Sequence, residues 1–495
     1  MPANDPRTST ANDTRSTFDW VILPAVVMSL GWGLRGYIGG GPLGAMIPGA
    51  LIALVLCQNL GIPARAAAAV TAFSAIGIGL GGEMTYGQTL GLLRDANTFW
   101  WGLLGTTLKG GVWGLLGGAV LGLGFFVNRL TSKSLLLALL CLLLGVVVGL
   151  HFINQPKLVY FSNPVDRPRD ESWAGFLLGA LALLAYLRKF EPDFARIAWA
   201  FAAYGAIGGA LGFGGGSLLL AMQTRLPDEW RWLPCWKFME FAFGAVFGAA
   251  LGMAARSIHS RLSSVADPQL SQVAANQYRK ASFDWPIGAL VGSLIVSGVF
   301  LGWLGYLQLL EANWQSEALG DPRRAIARVL LGFTGLGCVL LLVSRRWDLV
   351  AWQVAISVTI AAAAIDWQRD LLPRGEIELA PFYRALFVVA VASISIIYVT
   401  CWRPGRNPRL THLAVFTTCV LMGIGYLMGL ALADLWWPEP ERVAAAGGRL
   451  AYLWQSHRSE LVVHVIFTTL LVISLVGIVR VGALQTRPRQ RLTSS

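Results

Sequence analysis

Fourteen apolar stretches alternate with short polar connections along the 495 residues, near 20–36, 42–60, 66–82, 97–126, 135–153, 172–187, 197–222, 236–255, 285–307, 328–344, 349–365, 384–402, 411–432 and 460–479. A bilayer's hydrocarbon core needs about 20 apolar residues of helix to cross it. Tilt and neighbouring helices accommodate the shorter stretches. The pattern predicts an all-α polytopic membrane protein with about 14 transmembrane helices.

The pattern also repeats itself, at an offset of 130 residues. Gly114, Gly118 and Gly122 in the fourth stretch match Gly244, Gly248 and Gly252 in the eighth, and Trp100 matches Trp230 at their entrances. Gly49, Ala50 and Leu51 match Gly179, Ala180 and Leu181, while Gly79 and Gly82 match Gly209 and Gly212. Two four-helix units follow, 20–126 and 127–255. Each has an even number of spans, so the copies run in parallel through the membrane. Glycine every fourth residue gives one helix face a smooth seam, on which a second backbone can approach closely. A polar stretch, 256–284, reads as a cytoplasmic linker to a six-helix region, 285–480. Residues 1–19 and 481–495 read as cytoplasmic tails, and the first apolar run lacks a small-residue cleavage site, so it stays as a span.

Composition agrees with this class. Hydrophobic residues make up 55% of the chain and charged ones 13%, about half the usual share of a soluble domain. The net charge of +12 comes mostly from arginine and forms no basic, aromatic-studded patch, so nucleic acid is not an expected partner. Topology accounts for the excess better. With both termini cytoplasmic, the loops on that side hold 21 Lys and Arg against 8 Asp and Glu, and the opposite loops hold 17 against 18. The expectation from that bias is a multi-pass protein of the plasma (inner) membrane with both ends inside. The six cysteines are isolated and read as small apolar fillers.

Polar residues at membrane depth are the candidates for function. Lys109 and Glu240 lie at adjacent levels on helices paired by the repeat, which predicts an ion pair acting as a lock, a gate or an ion-coupling element. Arg35 sits in a glycine-rich reversal, 31–44, where backbone N–H groups and a guanidinium favour an anion. Glu83, Tyr86 and Gln88 close the glycine-rich third stretch, where an unwound segment could offer hydrogen bonds to a solute. His151 and Asn154 hold the comparable place in the second unit. No catalytic or metal-ligand spacing occurs, so no catalytic residue, metal or other cofactor is expected.

The leading expectation is a secondary transporter of a small polar or anionic solute, a sugar derivative or a carboxylate. Its partners are membrane lipid and the solute, within a homo-oligomer or a membrane complex. Two rivals stand beside it. One is a membrane-embedded transferase or hydrolase acting on a lipid-linked substrate at the outer face through Glu83, Asp366, Asp370, Asp434 and His151. The other is a non-catalytic subunit of a membrane complex.

Overall fold

The computed structural model describes residues 16–38, 42–62, 64–84, 86–163, 168–259 and 439–486. All regular structure among them is helical. The chain forms α1 (Leu23–Ile38), α2 (Pro42–Leu60), α3 (Ala64–Gly81), the short α4 (Gly87–Gly91), α5 (Phe99–Phe126), α6 (Ser132–Gly149), α7 (Trp173–Phe190), α8 (Pro192–Gln223), α9 (Cys235–Ser257), α10 (Pro440–Ala445) and α11 (Arg449–Thr486). Seven helical segments among the described residues are long and apolar enough to cross a membrane, and two shorter apolar ones, Gly44–Leu60 and Ala69–Gly81, lie between them. The expected spans at 285–432, the linker from residue 260 onward, residues Asp366, Asp370 and Asp434, and most of both tails lie outside the described residues.

The first helical turn starts earlier than the polarity of residues 1–19 suggests. A π-helical turn, Phe18–Ile22, runs straight into α1. Asp19 is fully buried there: one carboxylate oxygen accepts from the backbone N–H and the hydroxyl of Ser16, and the other faces the Arg480 guanidinium at 3.8 Å. Asn59 at the end of α2 donates to the Asp19 carbonyl, tying the two helix ends together.

Packing follows the small residues. The seam between α5 and α8 is backbone against backbone: a Cβ on Gly110 would overlap the Gly209 carbonyl, one on Gly114 the Gly205 carbonyl, and one on Gly118 the Phe201 carbonyl. The ladder on α9 serves a different helix. Gly244, Gly248 and Gly252 face Ser29, Pro24 and Trp20 around α1. The two matching ladders therefore pack on helices that the 130-residue offset does not relate to one another.

By the repeat, the glycine-rich run 212–217 should resemble the segment after the third stretch. It is instead continuous helix within α8. Inside an apolar bundle every backbone N–H and C=O needs an internal partner, and the missing side chains let α8 close on its neighbours. Gly212 lies against Phe243 and Gly216 against Met239, with Cβ approaches of 3.0 Å. Only the counterpart segment leaves the helix, turning at Gly82–Met84 before α4.

These contacts separate glycines on the seam from a glycine that α8 exposes. Gly114→Ala and Gly118→Ala should each lower stability by about 1–3 kcal/mol, the usual cost of overpacking. Gly215→Ala, whose Cβ would meet open space, should be neutral or stabilise by up to about 1 kcal/mol through helix propensity. Thermal unfolding of the detergent-solubilised full chain measures all three.

Candidate functional site

The helix direction alternates along the bundle, so one end gathers the close of α1, the 82–98 segment, the start of α5, the loop 155–172 and the start of α7. Two polar layers are stacked at that end.

The deeper layer is built on Arg35. Trp32 and Arg35 stand three residues apart on α1, so they share a face, and the guanidinium lies over the Trp32 ring at 5.0 Å. Tyr86, just ahead of α4, and Trp113, from the middle of α5, place their rings at 5.2 and 5.3 Å from the same carbon. Arg35 Nη2 donates to Tyr86 Oη at 2.7 Å. The cage is rigid. Trp113 is pinned by its Nε1 donating to the Ile78 carbonyl at 2.7 Å, and Gly81 leaves room that a Cβ would take from the indole. Phe213 and Phe243 close the cluster, with ring centres 5.6 Å from Tyr86 and 4.5 Å from Trp32 respectively.

Arg35 is only 4% exposed, yet none of the described acidic residues pairs with it. Its Nε–H and the Nε1–H of Trp32 are both buried without a hydrogen-bond partner. The magnitudes decide what this means. Aromatic faces attract a cation by about 0.5–2 kcal/mol each, which offsets part of the several kcal/mol that burying a charge costs. They supply no acceptor. An unmade hydrogen bond at a buried donor costs about 1–3 kcal/mol, and this layer holds two of them side by side.

The upper layer lies one helical turn nearer the loop. Lys109 precedes Trp113 by four residues on α5, about 6 Å along the axis. Thr89 follows Tyr86 by three. The ammonium of Lys109 is 1% exposed and donates to Thr89 Oγ1 at 2.8 Å and to Glu171 Oε1 at 2.7 Å. Glu171 stands just before α7 and also accepts from the Phe161 N–H at 3.1 Å and the Ser162 hydroxyl at 2.9 Å. Its carboxylate thus gathers the far end of the 155–172 loop onto the buried lysine. Gln88 Oε1 accepts from the Asn163 N–H, and Trp101 donates to the Tyr160 carbonyl, fastening the same loop to α4 and α5.

Of the residues picked out by sequence, Arg35 and Tyr86 come together, and Gln88 joins the loop fastening. Glu83 is exposed on the turn after α3. His151 is exposed on the flank of the bundle, where its Nδ1 and Gln155 Oε1 lie 3.1 Å apart. Asn154 acts locally. Its Oδ1 accepts from the N–H groups of Ala174 and Gly175, satisfying the first turn of α7.

The expected Lys109–Glu240 pair is replaced by two others. Lys109 pairs with Glu171, and Glu240 accepts from Lys237 at 2.9 Å and from the Trp236 indole at 2.9 Å, both within its own first turn. Equal depth is not enough, because α5 packs chiefly on α8 whereas α9 packs on α8 and α1. Four members of the two layers carry no mark in the span pattern: Glu171 and Thr89 read there as ordinary connection residues, and Trp32 and Trp113 as span residues. Trp113 does leave a signal, since a tryptophan deep within a glycine-rich span stands away from the interfacial belts that account for most membrane tryptophans.

Among the described residues, no three His, Cys, Asp or Glu side chains gather as a metal site requires. No family model, curated protein or solved structure matches the chain.

Breaking a buried ion pair from one side leaves an uncompensated charge, at a cost of about 3–5 kcal/mol. Lys109→Met should therefore destabilise the protein by about that much, and the double variant Lys109→Met/Glu171→Leu should recover most of the loss. The same cycle run with Glu240→Gln should show no coupling to Lys109. Unfolding midpoints of these variants and the wild type provide the test.

Proposed function

We propose that this is a multi-pass membrane transporter for a small anionic solute, bound by Arg35 in its aromatic cage. The observation that carries this reading is the buried guanidinium whose Nε–H and neighbouring indole N–H lack acceptors. A cation kept at depth without a counter-charge is costly, and an anionic ligand gives that cost a use. Tyr86 orients the guanidinium. Trp113 and Trp32 hold it away from water. The layer formed by Lys109, Glu171, Thr89 and Gln88 closes the site from the loop end, taking the gating role that sequence assigns to Lys109 and Glu240.

In this reading the chain sits in the plasma membrane with both termini cytoplasmic, as the bias of basic residues favours, so the 155–172 loop faces outward. The 130-residue repeat is a duplicated four-helix sequence whose copies have diverged in the neighbours they pack against. The enzyme alternative draws less support, since Glu83 and His151 are exposed and apart from the buried layers.

Purified protein in liposomes, exposed to a pooled metabolite extract, tests the proposal by mass spectrometry of the lumen. An organic anion should accumulate unmodified, and Arg35→Gln should cut its initial rate at least about tenfold, the factor expected for losing one charged hydrogen bond. Appearance of a new chemical species would establish an enzyme instead. Uptake indifferent to Arg35→Gln would remove Arg35 from the solute's path.

A further inference from the structure

Resting on that reading of the Arg35 site, we infer that its ligand is a monocarboxylate with a flat, apolar body rather than a sugar acid, a phosphate ester or a dicarboxylate. Three independent features of the cage converge on this class.

The first is hydrogen-bond polarity. The unspent groups are the Nε–H of Arg35 and the Nε1–H of Trp32. Tyr86 accepts from Arg35 and keeps its own hydroxyl hydrogen to donate. Every one of these is a donor, so the ligand must present acceptors. The planar edge of a carboxylate offers two, in the plane that suits a guanidinium. A sugar hydroxyl both donates and accepts, and its donated hydrogen would meet ring carbon here.

The second is charge. Lys109 is neutralised by Glu171 one turn above, and Glu240 by Lys237. Among the described residues of the two layers, one unit of positive charge remains. A monoanion balances it. A dianion would leave a buried negative charge with no partner, which a low-dielectric site penalises by several kcal/mol.

The third is the wall. Trp32, Tyr86 and Trp113 ring the guanidinium, and Phe213 and Phe243 join them in one connected aromatic cluster, with neighbouring ring centres 4.5–6.5 Å apart. Such a surface rewards a flat apolar body through ring contacts and gives a polyol nothing to bond.

Equilibrium binding of radiolabelled benzoate to the purified full-length protein at about pH 8, above the second pKa of a phosphate monoester, tests the assignment with unlabelled competitors. Benzoate should bind saturably. Benzamide, its neutral analogue, phenyl phosphate, a dianion at this pH, and gluconate, a hydrophilic monoanion, should each compete at least about tenfold more weakly, the factor that one lost charged hydrogen bond supplies. Arg35→Gln should abolish binding. Trp32→Phe keeps a ring in place and removes only the N–H, so it should weaken benzoate roughly tenfold, as loss of a hydrogen bond to a charged group does, and it serves as the test if Arg35→Gln misfolds. Competition by gluconate, phenyl phosphate or benzamide equal to that of benzoate overturns the class.

The same preparations in liposomes separate this inference from the transport reading. Benzoate that binds through Arg35 without crossing the membrane leaves the ligand class standing and removes transport. Arg35-dependent uptake of some other anion, with benzoate neither bound nor carried, removes the class and leaves transport standing.

Discussion

Direct backbone contact between α5 and α8 is the constraint on which the rest of the bundle depends. With glycine at 110, 114 and 118 on one helix and at 205 and 209 on the other, the two backbones meet with no side chains between them. This contact needs small residues and little else, since dispersion and shape rather than water exclusion hold helices together in an apolar medium. It also fixes the rotation of α5. The flank beside the seam, about 100° round the helix from Gly110 and Gly114, then carries Lys109 and Trp113 toward α3, α4 and the loop ahead of α7, where both polar layers form. A side chain added on the seam would displace those two residues together.

The two layers handle buried charge in opposite ways. The upper one is satisfied: ammonium meets carboxylate, and the remaining valences of the pair are filled by a backbone N–H and the hydroxyls of Thr89 and Ser162. Networks completed in this manner make a structure unique and rigid. The lower one is incomplete on its donor side. With the loop held by the completed layer, its fastening draws on neither Arg35 nor Trp32.

Much of the architecture is legible in the chain because membrane-spanning helices announce themselves by length and apolarity. The glycine periodicity exposes the packing seams, and Arg35 stands out as a charge in an apolar, glycine-rich context. What stays hidden in sequence is partnership. Lys109 and Glu240 lie at adjacent levels on helices paired by the repeat, but depth says nothing about which helices are adjacent, and the partner of the lysine is Glu171 at the edge of a loop. The cage is hidden for the same reason: Trp32, Tyr86 and Trp113 come from three separate segments, and no local spacing brings distant segments to one point. Asn154 and Gln88 are visible in sequence as polar residues set among apolar ones, yet what they hold is a helix start and a loop.

The length of α8 has its own consequence for how the bundle sits in lipid. Its 32 residues extend about 48 Å at 1.5 Å per residue, against a hydrocarbon slab of about 30 Å. Tilt alone cannot absorb the difference, because fitting the whole helix inside would demand an inclination beyond the roughly 40° at which transmembrane helices reach their limit. One or both ends must therefore stand among the head groups. The helix that α5 grips most tightly thus reaches out of the apolar slab and ties the packed seam to the polar zone beyond it.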